Sequence, residues 1–402
     1  MPKNKRPAPR KSSIPPEEKE DFLSAALCAL ALELAEQEDG DTAAHSEALR
    51  QKDVEFQRQL RKYLNQHKDE VLYGAIDLAS FEDVGAYQLL RSSIEEAAAT
   101  VVLWRENAPS MEINAFAIPV FVHSQGGLAA ADGFQDEAAF DALVASFGQA
   151  QLESADARVV LMQHAYDLRE VERISYSQLH AMVREAATSM TEKKMSAAPA
   201  LERSMAGWSE TAFGADDDAV ELRFLLGFAL KRADDPFYAV PADEAQADAY
   251  FEQRMERYRA WTQQAGPLVR RCLATGPRAD TLTVNFLYQD LFFGALEQGI
   301  AEHAMLRMIS ELRAAASAHG GPVRAVIAPA DVDGAMLLRV QLYGAADGAL
   351  LATSDKPLEL GADLELEVDD VADALASIAI ADVAVAQRFD AAGQPVDSRR
   401  LG

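Results

Sequence analysis

Two nearly unbroken apolar runs constrain the fold of this chain more than any other feature. Ile113–Val122 is interrupted only by Asn114 and is followed by Gly126-Gly127, and Val220–Lys231 is a second apolar run that ends in charge. Runs of about ten residues closed by turn or charged residues read as buried strands rather than helices. Pro119 inside the first predicts an edge position or a bulge. Each run is followed by the same order of patterns. After the first come a helix over Glu137–Gln149, a strand over Arg158–Met162, a helix over Tyr176–Met190 and a Lys/Ser/Ala/Pro-rich linker over Thr191–Arg203. After the second come a helix over Asp243–Leu273 with Trp261 inside it, a strand over Thr281–Leu287 and a helix over Ala295–His319, stopped by Gly320-Gly321-Pro322.

More strands follow, over Val323–Ile327, Ala335–Tyr343 and Ala349–Ser354, then a short helix over Val371–Ser377 and a strand over Val383–Phe389. Alternating strands and helices predict a layered α/β core. The late strands look antiparallel, so an α+β arrangement stays open. In front of this core, residues 15–107 read as helices. Phe22, Leu23, Ala26, Leu27, Leu30 and Leu34 recur at helical spacing behind Pro15-Pro16, with Ser13 as a candidate cap, and Asp39-Gly40-Asp41 stops them. Further helices are expected over Ala43–His67 and Val84–Arg105. The expected organisation is a basic tail at 1–15, a helical region at 16–108, α/β units at 109–205 and 206–392, the second carrying extra antiparallel strands, and a flexible tail at 393–402.

The two units share a short match as well as an order. His180-Ala181-Met182-Val183-Arg184 aligns with His303-Ala304-Met305-Leu306-Arg307, and a strand ending in Tyr and Asp precedes each (Tyr166-Asp167; Tyr288 and Asp290). This suggests a duplicated strand-helix-strand-helix segment. His and Arg four residues apart share one helical face. Their ordinary role at the edge of an apolar face is to cover the core with their stems while their heads reach water. The functional alternative is an enzyme or sensor in which a pair of cationic sites, His180 with Arg184 and His303 with Arg307, holds an anionic small molecule between the units.

Charge and motif content narrow the chemistry. The 402 residues contain 38 Lys plus Arg against 64 Asp plus Glu, a formal net charge of −26. That balance opposes wrapping duplex nucleic acid. The basic residues of the tail, Lys3, Lys5, Arg6, Arg10 and Lys11, offer weak electrostatic binding of nucleic acid, although a solubilising tail is the plainer reading. No phosphate-binding loop, dinucleotide fingerprint, nucleophile elbow or zinc motif occurs. No catalytic residue, metal ligand set or cofactor is therefore assigned. His164, at a strand end near Asp167, is a candidate base or metal ligand whose ordinary reading is a hydrogen-bonded histidine. Asp216-Asp217-Asp218 and the run Asp363, Glu365, Glu367, Asp369, Asp370 read as solvated loops. Cys28 and Cys272 sit among apolar residues and read as buried, inert thiols. Glu17, Glu18, Glu20 and Asp21 in front of the first apolar helix oppose export, and no segment matches a membrane span, so a cytoplasmic protein is expected.

Several segments resemble a bacterial domain-of-unknown-function family, number twenty-eight sixty-three. They are Ile76-Asp77 through Glu95-Glu96-Ala97-Ala98-Ala99, Phe116-Ala117-Ile118-Pro119-Val120, Ala157-Arg158-Val159-Val160-Leu161 with Tyr166-Asp167-Leu168, Glu221-Leu222-Arg223-Phe224-Leu225-Leu226, and Tyr288 with the helix through Leu306-Arg307. The likeness covers roughly residues 70–320 and departs from the family's pattern at the C-terminal end. It implies a cytoplasmic bacterial protein and no particular activity. The expected function is non-enzymatic binding or regulation through a protein partner, met by the helical region and the acidic surface. Homo-oligomerisation is compatible with the sequence, although no heptad marks it.

Overall fold

The structure is a computed structural model, and it describes residues 16–36, 43–104, 106, 108–123, 134, 136–154, 156–191, 220–274, 282–287, 292–332, 334–390 and 392–401. The basic tail, Gly126-Gly127, most of the 191–203 linker, Asp216-Asp217-Asp218, Tyr288 and Asp290 lie outside the described residues. Contacts divide the chain into a helical unit, residues 1–98 with 175–181, and a larger unit made of the rest.

The helical unit contains α1 (Pro16–Ala35), α2 (Ala43–Asn65), α3 (Asp69–Glu82), α4 (Val84–Ala99) and the first turn and a half of α7 (Tyr176–Thr191). Leu27, Ala31, Phe56, Leu60, Val71, Leu72, Ala75, Leu90 and Ile94 form its buried faces. α1 and α3 approach closely, because Gly74 leaves room for Ser24, whose hydroxyl donates to the Val71 carbonyl at 3.1 Å. The helix expected over Val84–Arg105 ends at Ala99. Thr100-Val101-Val102-Leu103 instead forms strand β1, as branched side chains favour. The helical unit therefore ends at 98 rather than 108.

In the larger unit, β2 (Met111–His123) and β4 (Val220–Arg232) pair antiparallel over thirteen residues, from Met111 opposite Arg232 to His123 opposite Val220. β3 (Arg158–Asp167) adds to β4, while β5 (Thr283–Phe286) and β1 both add to β2, at Val120–His123 and Met111–Asn114, giving the order β5-β2-β4-β3 with β1 beside β5 on the β2 edge. The two stretches expected as separate units thus interleave their strands in one sheet. This split order is the one two strand-helix-strand segments make when each strand of one lies beside a strand of the other. The duplication itself remains an inference from the sequence. The expected edge or bulge at Pro119 gives way to a central strand. The Pro119 carbonyl accepts from Leu287 N–H, just beyond the β5 pairing, so its missing N–H points to the same side and removes no bond to β4.

Both faces of this sheet are covered. Phe116, Ile118, Val120, Leu225 and Ala229 pack with Leu143 and Phe147 of α5 (Glu137–Gln149) and with Trp261, Ala265 and Val269 of α8 (Glu244–Leu273). Gly227 sits directly beneath the Phe116 ring, and a Cβ there would fall inside that ring's van der Waals shell. On the other face, α9 (Phe292–His319) comes close at Gly299, where a Cβ would lie 3.3 Å from Phe224 and Pro119. At 1.5 Å per residue a 28-residue helix is roughly 42 Å long, enough for α9 to serve a second sheet as well.

That second sheet has the order β12-β9-β6-β7-β8: β6 (Val323–Val332), β7 (Ala335–Gly344), β8 (Leu350–Pro357), β9 (Val383–Val385) and β12 (Arg399–Arg400). One face packs Ile327, Leu338, Val340 and Leu342 against Met308 and Leu312 of α9 and Val371 and Leu375 of α10 (Leu364–Ser377). β12 pairs with β9, and β10 (Arg388–Phe389) with β11 (Pro395–Val396), so the described part of 393–402 is not the free tail expected. The acidic run 363–370 is likewise no loop. Asp363 caps α10 through the N–H groups of Glu365 and Leu366, and Glu367 pairs with Lys356. β6, β7 and β8 pair antiparallel as expected, whereas β9 runs parallel to β6, and the mixed layers agree with the α/β reading.

Candidate functional site

A cluster of ionisable side chains within the larger unit lies where β3 meets β4. Its geometry begins with a bulge. Leu161 pairs with Gly227 and Ala165 with Leu225, so three residues of β3, ending in His164, lie between pairs that only one residue of β4 separates. Asp167 then ends β3 directly opposite Arg223. The next turn, α6 (Leu168–Val171), is held by a reciprocal cap. Asp167 accepts from the Glu170 N–H at 2.9 Å, and Glu170 accepts from the Asp167 N–H at 2.8 Å. This draws the Glu170 side chain, only 2% exposed, to 3.9 Å from His164 Nε2. The imidazole also lies edge-on to the Tyr166 ring. Arg223, 4% exposed at its side chain, donates to Glu221 at 3.0 and 3.3 Å.

Burial sets the electrostatics here. It pushes the Glu170 carboxyl above its ordinary value, and the nearby Asp167 charge acts in the same direction. Burial also lowers His164, and the Arg223 charge adds to that. Both members of the His164–Glu170 contact are thus driven toward their neutral forms, and 3.9 Å is too long for a hydrogen bond. The pair is better described as two neutral groups, a protonated carboxyl and a deprotonated imidazole, than as an ion pair. Among the described residues no group of three or more His, Cys, Asp or Glu could hold a metal ion, so the metal reading of His164 finds no support in this geometry. A second buried cation occupies the opposite end of β4, where Lys231 meets Glu112 at 3.4 Å. Of these residues only His164, beside Asp167, was a candidate from the sequence; Glu170, Glu221 and Arg223 were not. The signal was there: Glu221 and Arg223 are alternate charges on one face of an otherwise apolar strand, and Asp167-x-x-Glu170 is a capping pattern.

The four residues proposed as an anion site take other places. His180 is buried in the helical unit, its Nδ1 3.1 Å from the Ala97 carbonyl. Arg184 is exposed, and its carbonyl accepts from the Thr188 hydroxyl. In the larger unit, His303 is half-buried with Nε2 2.8 Å from the Val220 carbonyl. One turn on, Arg307 is 69% exposed and 4.0 Å from Glu311. Each histidine ring thus faces a backbone carbonyl, while the ordinary reading had its head reaching water. Both cysteines are buried, as expected. Burial raises both thiols, Cys272 to about 12, which leaves it protonated and unreactive.

The helical unit offers a different kind of candidate. Asp69 caps α7, accepting from the Ser177 N–H at 2.9 Å and from the Ser175 hydroxyl at 2.8 Å, while His67 Nδ1 lies 3.2 Å from the Ser177 hydroxyl. The carboxylate bonds the serines rather than the histidine, so this is a helix cap and not a catalytic relay. On the outer side of α3, Leu78 (41% exposed) and Phe81 (89%) lie one turn apart, and Val84 (41%) follows at the start of α4. No helix among the described residues is long and apolar enough to cross a membrane.

No curated protein and no solved structure matches this chain. A family model does match, over residues 29–335, and ends just as β7 begins, so most of the second sheet lies beyond it. That is more than half of the chain: the protein belongs to the DUF2863 family, proteins of unknown function.

Proposed function

We propose that this protein is a non-enzymatic binding or regulatory protein that works through a protein partner docking on its helical unit. The observation that carries this reading is the apolar stripe Leu78, Phe81 and Val84, with Phe81 left 89% exposed at the end of α3. An isolated exposed leucine is ordinary, but a fully exposed aromatic flanked by two more apolar side chains is the surface that partners use as an anchor. The titratable side chains of the same unit support the reading from the other direction. Asp69 caps a helix and His180 faces a backbone carbonyl, so both have structural duties.

The test is a photo-crosslinking amino acid placed at position 81, and separately at exposed Arg58 on α2, in the cells that make the protein. A discrete adduct at 81 and none at 58 is expected. The purified partner should then bind the parent about tenfold or more tighter than Phe81→Ser, a difference of roughly 1.4 kcal/mol. Equal labelling at both positions, no adduct at 81, or an adduct only with a second copy of the chain overturns the proposal.

A further inference from the structure

We infer that the partner presents a basic amphipathic helix to the α3 stripe, an inference that rests on the docking reading above. Three observations carry it. First, the stripe has helical spacing, Leu78 to Phe81 being one turn, so its natural complement is another helix laid along it with apolar residues three and four apart. Second, the charges directly beside it along the chain are acidic. From Asp69 to Leu90 the chain has no Lys or Arg, and Asp77, Glu82 and Asp83 are all exposed beside the apolar side chains. Asp77 is one turn from Phe81 on the same side of the helix, and Glu82 and Asp83 separate Phe81 from Val84.

Third, the neighbouring helix end adds to the same field. A Cβ at Gly85 would lie 3.7 Å from Ala35, so the exposed Glu36 at the end of α1 belongs to this corner. Among the described residues no Lys or Arg pairs with Asp77, Glu82 or Glu36, whereas Glu33 on the same helix is neutralised by Lys52 at 3.2 Å. An apolar stripe inside an unneutralised acidic rim selects a partner with Lys or Arg flanking its apolar face, and it repels an acidic one.

The probe is an 18-residue peptide of Leu and Lys patterned at helical spacing, compared with a Leu/Glu peptide of the same pattern, with binding to the full-length protein read by fluorescence anisotropy. The Lys peptide should bind about tenfold or more tighter than the Glu peptide, and its affinity should fall as salt rises. Phe81→Ser should weaken it about tenfold, and so should the pair Asp77→Lys and Glu82→Lys. Leu78→Ser stands in for Phe81→Ser if that variant fails to fold. Asp369→Lys with Asp370→Lys, on the exposed side of α10, changes the net charge equally and should leave binding within about threefold. Equal binding of the two peptides, or equal loss in the α10 control, overturns the inference. So does tighter binding on deleting residues 1–12, which would make this chain's own basic tail the occupant. Crosslinking at position 81 is read independently, so an adduct there together with a failed Lys-peptide preference removes the basic helix and leaves the docking reading standing.

Discussion

The two sheets of the larger unit use antiparallel pairing in opposite ways. In the first, β2 and β4 are buried on both faces, and their interior cations, Arg223 and Lys231, are almost removed from water. In the second, β6 and β7 are buried in their middles, over Ala325–Ala328 and Val340–Leu342, and more exposed toward several of their ends. One cation there, Lys356 on Glu367, is just as removed from water, but the pair Arg339 with Asp355 across β7 and β8, bidentate at 2.7 Å, is about a quarter to a third exposed. A sheet covered by helices on both faces must satisfy every charge internally, while a sheet with one wetter face can leave part of that task to solvent.

Breaking the cations tests that contrast most strongly. Arg223→Met should destabilise the protein by about 3 kcal/mol or more, since it leaves Glu221 without its buried cation, whereas Arg339→Met should cost about 1 kcal/mol or less. Urea unfolding of both variants reads the difference, and equal losses would remove the distinction between the sheets. Next in size is Gly227→Ala. The new methyl meets Phe116 and Leu161, and the packed ring has helices α5 and α8 above it, so a loss of about 2 kcal/mol is expected by the same measurement. A wild-type midpoint would show that this face repacks freely.

The smallest effect is pH-linked. Glu170 is raised, so its contribution is present in acid and is lost as the pH climbs through its folded value. His164 is lowered, so its contribution is present at high pH and is lost as the pH falls below roughly 6.5. Glu170→Gln should therefore melt a few degrees above the parent near about pH 8 and converge with it near about pH 4. His164→Asn should flatten the parent's decline in melting temperature below about pH 6.5. Unchanged pH profiles in both variants would show that the bulge does not bury these groups in solution.

What could be read from the sequence follows the same division. Unbroken apolar runs announced β2 and β4. α3 was passed over, although Val71, Leu72, Ala75, Ile76 and Ala79 have helical spacing. Its start is marked by neither Gly nor Pro, because His67 makes the turn itself with a φ of +51°. β1 was absorbed into the helix before it, since four residues carry too little pattern to compete with sixteen. The ionic cluster was only half legible. Its capping box and alternate charges are local, but the pairing of Asp167 with Arg223 joins residues 56 positions apart and depends on strand order. Nothing local in the chain says that β4 enters between β2 and β3.

That late entry has a consequence for how the molecule is made. β2 leaves the ribosome about a hundred residues before the strand that completes it, and β3 finds no neighbour until the same moment. Through that interval the nascent chain holds an apolar strand with open edges. Such a topology folds slowly and exposes surfaces that other chains can capture. The protein's yield in a cell should therefore respond to translation speed and chaperone supply more than its finished, doubly covered sheet would suggest.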